Sequence, residues 1–205
     1  MNHMGINENR FNYVDRNHKQ KIVEFYEKWY IYISFLILII IVSACSYNPN
    51  DLFGFRAYRF PAKSMVPTLL PGERILVDRQ YYKDRNPQRG DIIVFEYPKD
   101  PKSDFLKRVI AIEKDVVKGE NGKVYVNGLV LEEPYVQHTR NEIIEVMDNF
   151  GPITVPEGKL FVMGDNRDES LDSRHFGVVS VEKVKGRVLY IYWSKKWSRI
   201  GTKVK

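Results

Sequence analysis

Two side chains in this sequence have the types needed for a nucleophile and its base without a metal: a serine among prolines and a lysine inside an apolar run. Ser64 lies in PAKSMVPTLLPG, where Pro61, Pro67 and Pro71 stiffen the backbone and keep a helix from forming. A serine on so rigid a turn can be held toward a carbonyl, although an ordinary turn serine beside prolines has the same local sequence. The segment lacks the Gly-x-Ser-x-Gly elbow, which disfavours an α/β-hydrolase. Such a hydroxyl needs a base, and His138, His175 or a desolvated lysine could serve. Lys107 interrupts FLKRVIAI; on a strand it shares a face with Phe105, Val109 and Ala111, while Arg108 takes the other. Burial against those neighbours lowers an amine's pKa, and only the neutral amine can accept a proton. On a half-exposed strand the same lysine simply ends at solvent.

A third constellation, GDNRDESLDSRHFG at 164 to 177, packs glycines, carboxylates, two arginines and two serines into one loop. The spacing suits an Asp172–Arg174 ion pair that holds the loop, with Asp165, Asn166, Arg167 and Asp168 closing its turns. Ser170 and Ser173 are free to serve elsewhere. Cys45 is the single cysteine, which excludes an intrachain disulfide or a Cys-x-x-Cys centre. The four histidines show no metal-ligand spacing, so neither a metal nor a cofactor is expected.

The elements that must position these residues read as strands. Short β-branched and aromatic runs recur at 74–77, 91–97, 105–112, 123–126, 159–163 and 187–193, separated by turn dipeptides such as Asn121-Gly122 and Asn127-Gly128. The stretch from about 113 to 156 is the least patterned and suggests a small β subdomain or insertion. Before this domain, WYIYISFLILIIIVSAC (29 to 45) carries no charge and begins with an aromatic cluster, as one transmembrane helix does. Arg10, Arg16, Lys19, Lys21 and Lys28 precede it, and no basic residue follows until Arg56, which places the amino terminus in the cytoplasm. The organisation expected is a cytoplasmic leader (1–28), an anchor (29–47) and an extracytoplasmic catalytic domain (48–205). Val42-Ser43-Ala44-Cys45 also resembles a lipoprotein processing site, at which Cys45 would be lipidated. The net charge of +6 is spread without a basic aromatic stripe, which argues against nucleic acid and suits anionic lipid.

Taken together these pieces resemble the type I signal peptidases, the leader peptidases of bacterial membranes. SMVPTL (64–69) is similar to the family's nucleophile box, RGDIIVF (89–95) to its second strand, LKRVI (106–110) to its lysine box, and GDNRDESLDSRHFG to its closing box. Four such matches in order after one anchor are specific. The resemblance implies a mainly β, barrel-like catalytic domain that removes signal peptides from exported preproteins after small residues (Ala-X-Ala). Ser64 would attack, Lys107 would take its proton, Ser170 would orient the amine, and Asp172 and Arg174 would support the site. Two positions depart from the family pattern. Ala62 replaces a serine that assists the oxyanion in some members, so a second donor must come from elsewhere. AIEKD (111–115) replaces a Gly-Leu-Pro-Gly-Asp-like turn. Lys63, beside the nucleophile, is a charged neighbour that could rival Lys107.

Three other readings compete. A self-cleaving regulator of the LexA type would need a DNA-binding amino-terminal domain where this chain has an apolar span. A catalytically inactive relative that binds exported chains would not need Ser64, Lys107 and Ser170 together. A Ser64–His175–Asp172 triad is a mechanistic rival, but His175 and Asp172 are only three apart, and a lysine dyad leaves the histidine without a required role. The expected partners are signal peptides and membrane lipid, through an exposed apolar surface drawn from 52–60 and the basic aromatic tail 190–205; the sequence is silent on oligomeric state.

Overall fold

A computed structural model of the chain describes residues 29–38, 54–140 and 144–205. Two units separate, Met1–Pro49 and Asn50–Lys205. In the first, residues 29 to 38 form helix α1 with exposed side chains, and Ser34 Oγ donates to the Ile31 carbonyl at 2.8 Å. The leader, the rest of the expected anchor and Cys45 lie outside the described residues. Among those described, no helix is long and apolar enough to cross a membrane.

The second unit is mainly β. Its strands are β1 (Phe55–Phe60), β2 (Glu73–Asp78), β3 (Ile92–Tyr97), β4 (Asp100–Ala111), β5 (Val116–Glu120), β6 (Lys123–Val126), β7 (Leu129–Val130), β8 (Phe150–Thr154), β9 (Lys159–Met163), β10 (Val179–Ser180) and β11 (Val184–Trp193). Two one-turn helices, α2 (Glu145–Asp148) and α3 (Ser173–Phe176), interrupt them. The strands form a seven-stranded sheet in the order β1-β2-β11-β3-β4-β9-β10 and a four-stranded sheet in the order β7-β6-β5-β8. Every pairing between these strands is antiparallel.

Local sequence explains the small sheet. Asn121-Gly122 and Asn127-Gly128 both have positive φ, the conformation that two-residue hairpins need, and they join β5 to β6 and β6 to β7. The apolar run of β3 is buried on both faces. Ile92 and Val94 pack with Met65, Leu69 and Ile75 on one side, while Ile93 and Phe95 pack with Val109, Leu160 and Val162 on the other. A third cluster, with Ile110, Ala111 and Phe161 on the large sheet and Val117 and Val124 on the small one, joins the two sheets. Ala111 therefore leaves the face expected to hold Lys107, Phe105 and Val109, because a register shift between Val109 and Ala111 turns the end of β4.

Among the described residues both sheets are open, and the barrel-like closure expected from the sequence is not formed. β1 is paired only with β2, and the β4 residues before Arg108 are paired only with β3, since the partnership with β9 begins at Arg108. Two unpaired strand edges thus line one groove of about 300 Å³, with Tyr58 to Ala62 on one bank and Asp104 to Lys107 on the other.

The unusual AIEKD turn forms all the same. Asp115 accepts from the Ile112 N–H at 2.8 Å, and Lys114 takes φ +68°, the left-handed region that favours glycine. A side chain there costs roughly 1 kcal/mol. We expect Lys114→Gly to raise stability by about 0.5–1 kcal/mol once glycine's own entropy is offset, read as a higher melting temperature. An unchanged or lower value would show that the turn carries no strain at Lys114.

Candidate active site

Ser64 sits on a turn between β1 and β2, and Lys107 sits within β4. The turn is held from inside: Met65 and Leu69 are fully buried, and the Leu69 N–H donates to the Met65 carbonyl at 2.8 Å. Ser64 and Lys107 are themselves buried, at 6% and 4% exposure, and Lys107 Nζ lies 2.6 Å from Ser64 Oγ at the head of the groove. On β4 the amine stands opposite Ile93 and 5.7 Å from the centre of the Phe105 ring. Burial lowers the Lys107 pKa to about 8, against the pull of Asp172 and Asp165, and the Arg174 charge lowers it further.

The closing loop supplies those charges. Asp172 accepts from Arg174 Nε and Nη2, both at 2.9 Å, and from the Gly164 N–H at 3.0 Å. It also caps α3 by accepting from the Arg174 N–H. Burial works against its ionisation, but the Arg174 pair outweighs that and keeps the carboxyl below its ordinary range. Arg174 Nη2 continues to the Arg167 carbonyl at 2.7 Å.

Four neighbours expected to close local turns mostly reach across the fold instead. Asp165 is gripped by Arg108 at 2.8 and 2.7 Å and also accepts from the Thr68 hydroxyl, and the Arg108 guanidinium stacks 3.8 Å from the Tyr135 ring. Arg167 pairs with Glu133. Asp168 accepts from the Thr139 and Arg140 N–H groups and from the Arg140 guanidinium. Asn166 does both, accepting from the Glu169 N–H three residues on, while its amide donates to the Lys63 carbonyl and its backbone N–H to the Ser64 carbonyl at 3.1 Å. In a loop crowded with charge, long-range buried partners relieve more desolvation than solvated turns can.

The hydrogen bond expected from Ser170 to the lysine amine is not made; the buried Ser170 Oγ lies beside the Asp172 carboxylate instead and favours its ionised form. Lys63 is two-thirds exposed and pairs with Glu169 at 3.6 Å, so it lacks the desolvation a rival base needs. His175 is exposed on α3, and the Asp172 carboxylate that would orient it is taken by Arg174. Among the described residues, no group of three or more His, Cys, Asp or Glu is placed to hold a metal.

This geometry has close sequence relatives. The family described as signal peptidase, peptidase S26, matches residues 28–193. The chain belongs to that family. A signal peptidase I of Bacillus caldolyticus is 37% identical over 163 residues, covering 76% of this chain and 88% of that protein. A signal peptidase I of Aquifex aeolicus is 37% identical over 196 residues, covering 69% of this chain and 77% of that one. A crystal structure of an Enterococcus faecalis signal peptidase I aligns at 35% identity with a TM-score of 0.44, over 50% of this chain and 97% of that one. As a member of the peptidase S26 family, the protein is a serine endopeptidase.

One residue of the signal peptidase site that side-chain chemistry could not flag is Gly164. A Cβ there would press on the Ser170 hydroxyl and the Ser64 carbonyl oxygen, closer than real Cβ atoms come. Its backbone N–H is also the donor to Asp172. Because the Ser64 carbonyl belongs to the backbone, it can yield only by moving the serine. Gly164→Ala should therefore lower peptidase activity about 100-fold or more. A variant with wild-type activity would mean that the Ser64 turn has slack.

Proposed function

We propose that this protein is a membrane-bound signal peptidase that cleaves exported preproteins after Ala-X-Ala, with Ser64 as nucleophile and Lys107 as general base. The observation that carries this reading is the 2.6 Å approach of a buried lysine amine to a buried serine hydroxyl at the end of a groove with two free strand edges. With its pKa lowered to about 8, a useful fraction of Lys107 is neutral near physiological pH.

A substrate lying in the groove as an extended strand bonds to the edges of β1 and β4 and points alternate side chains at the enzyme. Phe60, Ile75, Val94 and Leu106 line the floor, so small residues at the first and third positions before the cut fit shallow apolar pockets. Ser64 Oγ attacks the scissile carbonyl carbon as its proton passes to Lys107 Nζ. The oxyanion accepts from the Ser64 N–H. Collapse breaks the peptide bond, the leaving amine takes the proton from Lys107, and an acyl-serine remains. Lys107 then deprotonates water, which releases the signal peptide and restores Ser64. Asp172 and Arg174 hold the loop against this pair, and Ser170 lies beside it. With alanine at position 62, no side-chain hydroxyl there assists the oxyanion.

The anchor at 29–47, with the amino terminus inside and residues 48–205 outside, puts this chemistry where exported chains emerge. Phe60, Met65 and Leu69 belong to the core, so contact with lipid falls to the exposed Phe55 and to Trp193, Trp197, Tyr190 and Tyr192 with Lys195 and Lys196. An inactive relative that only binds exported chains would not need a desolvated amine on the hydroxyl.

Cleavage of a preprotein in detergent tests the pair. Ser64→Ala and Lys107→Ala should each abolish cleavage, and His175→Ala should keep most of it; a dead histidine variant would replace the dyad with a triad. Because the neutral amine is the active form, kcat/KM should rise about tenfold per pH unit below the Lys107 pKa and level off above it. An acidic optimum would contradict a lysine base. A large aromatic in place of either alanine of the substrate should stop cleavage, and tolerance at both positions would refute the pocket assignment. Protein lacking residues 1–48 should still cleave peptides and bind anionic vesicles at low salt; cleavage without vesicle binding would leave location to the anchor alone.

A further inference from the structure

The family match ends at residue 193, yet residues 194–205 are tied into the back of the Ser64 turn. Glu73, at the end of that turn, is 2% exposed and accepts from four donors: Leu70 N–H at 2.8 Å, Ser194 Oγ at 2.8 Å, and Arg199 Nε and Nη2 at 2.6 and 3.1 Å. Arg199 Nη2 also donates to the Thr68 carbonyl at 2.8 Å, and the Thr68 side chain donates to Asp165, which Arg108 grips. Beyond Arg199 the chain turns back along β11. The Gly201 N–H donates to the Ile191 carbonyl at 2.8 Å, the Ile191 N–H to the Thr202 carbonyl at 3.0 Å, and the Val204 N–H to the Leu189 carbonyl at 2.8 Å. Val204 is buried in the cluster that holds Met65 and Leu69, and the Lys205 carbonyl accepts from Arg108 at 3.1 Å.

We infer that residues 194–205 are a strap that fixes the Ser64 turn against β4, with Arg199 as the positioning residue. The two residues behind the nucleophile that could drift, Thr68 and Leu70, are both anchored through it. Arg199 bonds the Thr68 carbonyl directly, and it neutralises the carboxylate that holds the Leu70 N–H. Without Arg199 the Glu73 charge is left buried and uncompensated, and the Thr68 carbonyl loses its donor. A turn loosened there lets Ser64 move from Lys107 and lets water reach the amine. Arg199 is 24% exposed and lines neither the groove nor the reacting atoms, so its effect runs through the turn.

The inference rests on the reading of Ser64 and Lys107 as the catalytic pair, and its test keeps the two apart. Full-length protein in detergent is compared as wild type, Arg199→Ala and the charge-balanced double variant Glu73→Gln/Arg199→Met. Amide exchange over residues 66–70 is measured together with kcat, KM and the pH profile on a preprotein. In the Arg199→Ala protein we expect exchange over 66–70 to quicken about tenfold or more. We also expect kcat to fall about 10- to 100-fold, KM to stay within about threefold, and the alkaline inflection to move to higher pH. The double variant removes the buried charge but not the lost Thr68 anchor, so it should fold and still show faster exchange and lower kcat. If Arg199→Ala does not fold, this variant decides the question alone. Wild-type exchange over 66–70, or an unchanged kcat and pH profile, in a folded variant would overturn the strap. If the wild type itself fails to cleave, the exchange result still decides the strap, and the functional reading is what fails.

Discussion

Keeping an amine neutral next to two carboxylates is the constraint on which the rest of the structure turns. Burial, aided by the Arg174 charge, depresses Lys107, but Asp172 and Asp165 both favour its charged form. Left unpaired, either carboxylate would favour the charged amine more strongly. Each is instead gripped by a bidentate arginine, Arg174 on Asp172 and Arg108 on Asp165, and burial outweighs the pull that the two carboxylates keep on the lysine. The carboxylates stay because they hold backbone and side-chain donors near the site, and the arginines make that tolerable.

The same constraint explains why the lysine stands on β4. A strand between β3 and β9, with apolar layers on both faces, is a place where a long side chain can lose water along its whole length. The surrounding burial is what offsets the cost of an ionisable group there; each large apolar side chain contributes roughly 1.5–3 kcal/mol. Where β4 passes beyond the reach of β9, its edge is free, and the groove opens beside the amine. Desolvation of the Lys107 amine and a free strand edge therefore meet at one point on one strand.

Much of this was legible in the sequence, and the parts that were not share a cause. The runs at 123–126 and 159–163 are strands to the residue, and the Asn-Gly pairs are hairpin turns, because a turn's φ requirement is written in adjacent residues. β1, β5 and β8 escaped notice: FRAYRF alternates charge with aromatics, VVKGE is short and charged, and FGPIT holds a glycine and a proline. Their strand state comes from pairing, not from propensity. The Asp172–Arg174 pair spans two residues and could be read, whereas Arg108–Asp165 spans 57 and Glu73–Arg199 spans 126. Nothing in the sequence around Glu73 or Arg199 announces a partner so far away. Nor could side-chain chemistry find Gly164, whose contribution is the absence of a side chain.

Asp172 shows why such a site resists simplification. An apolar residue of similar size would end its pull on Lys107, which is the change that burial energetics alone would favour. It would also leave the Gly164 N–H without its acceptor in the interior and take the cap from α3, the turn that carries Arg174. The Gly164 backbone lies against Ser64, so a donor left unsatisfied there would disturb Ser64 itself. The carboxylate is thus fixed by the hydrogen bonds it accepts, and its charge is the by-product that Arg174 must cancel. On this view the ion pair holds the loop beside Lys107 while Asp172 and Arg174 pull its proton affinity in opposite directions, and burial remains the largest influence on it.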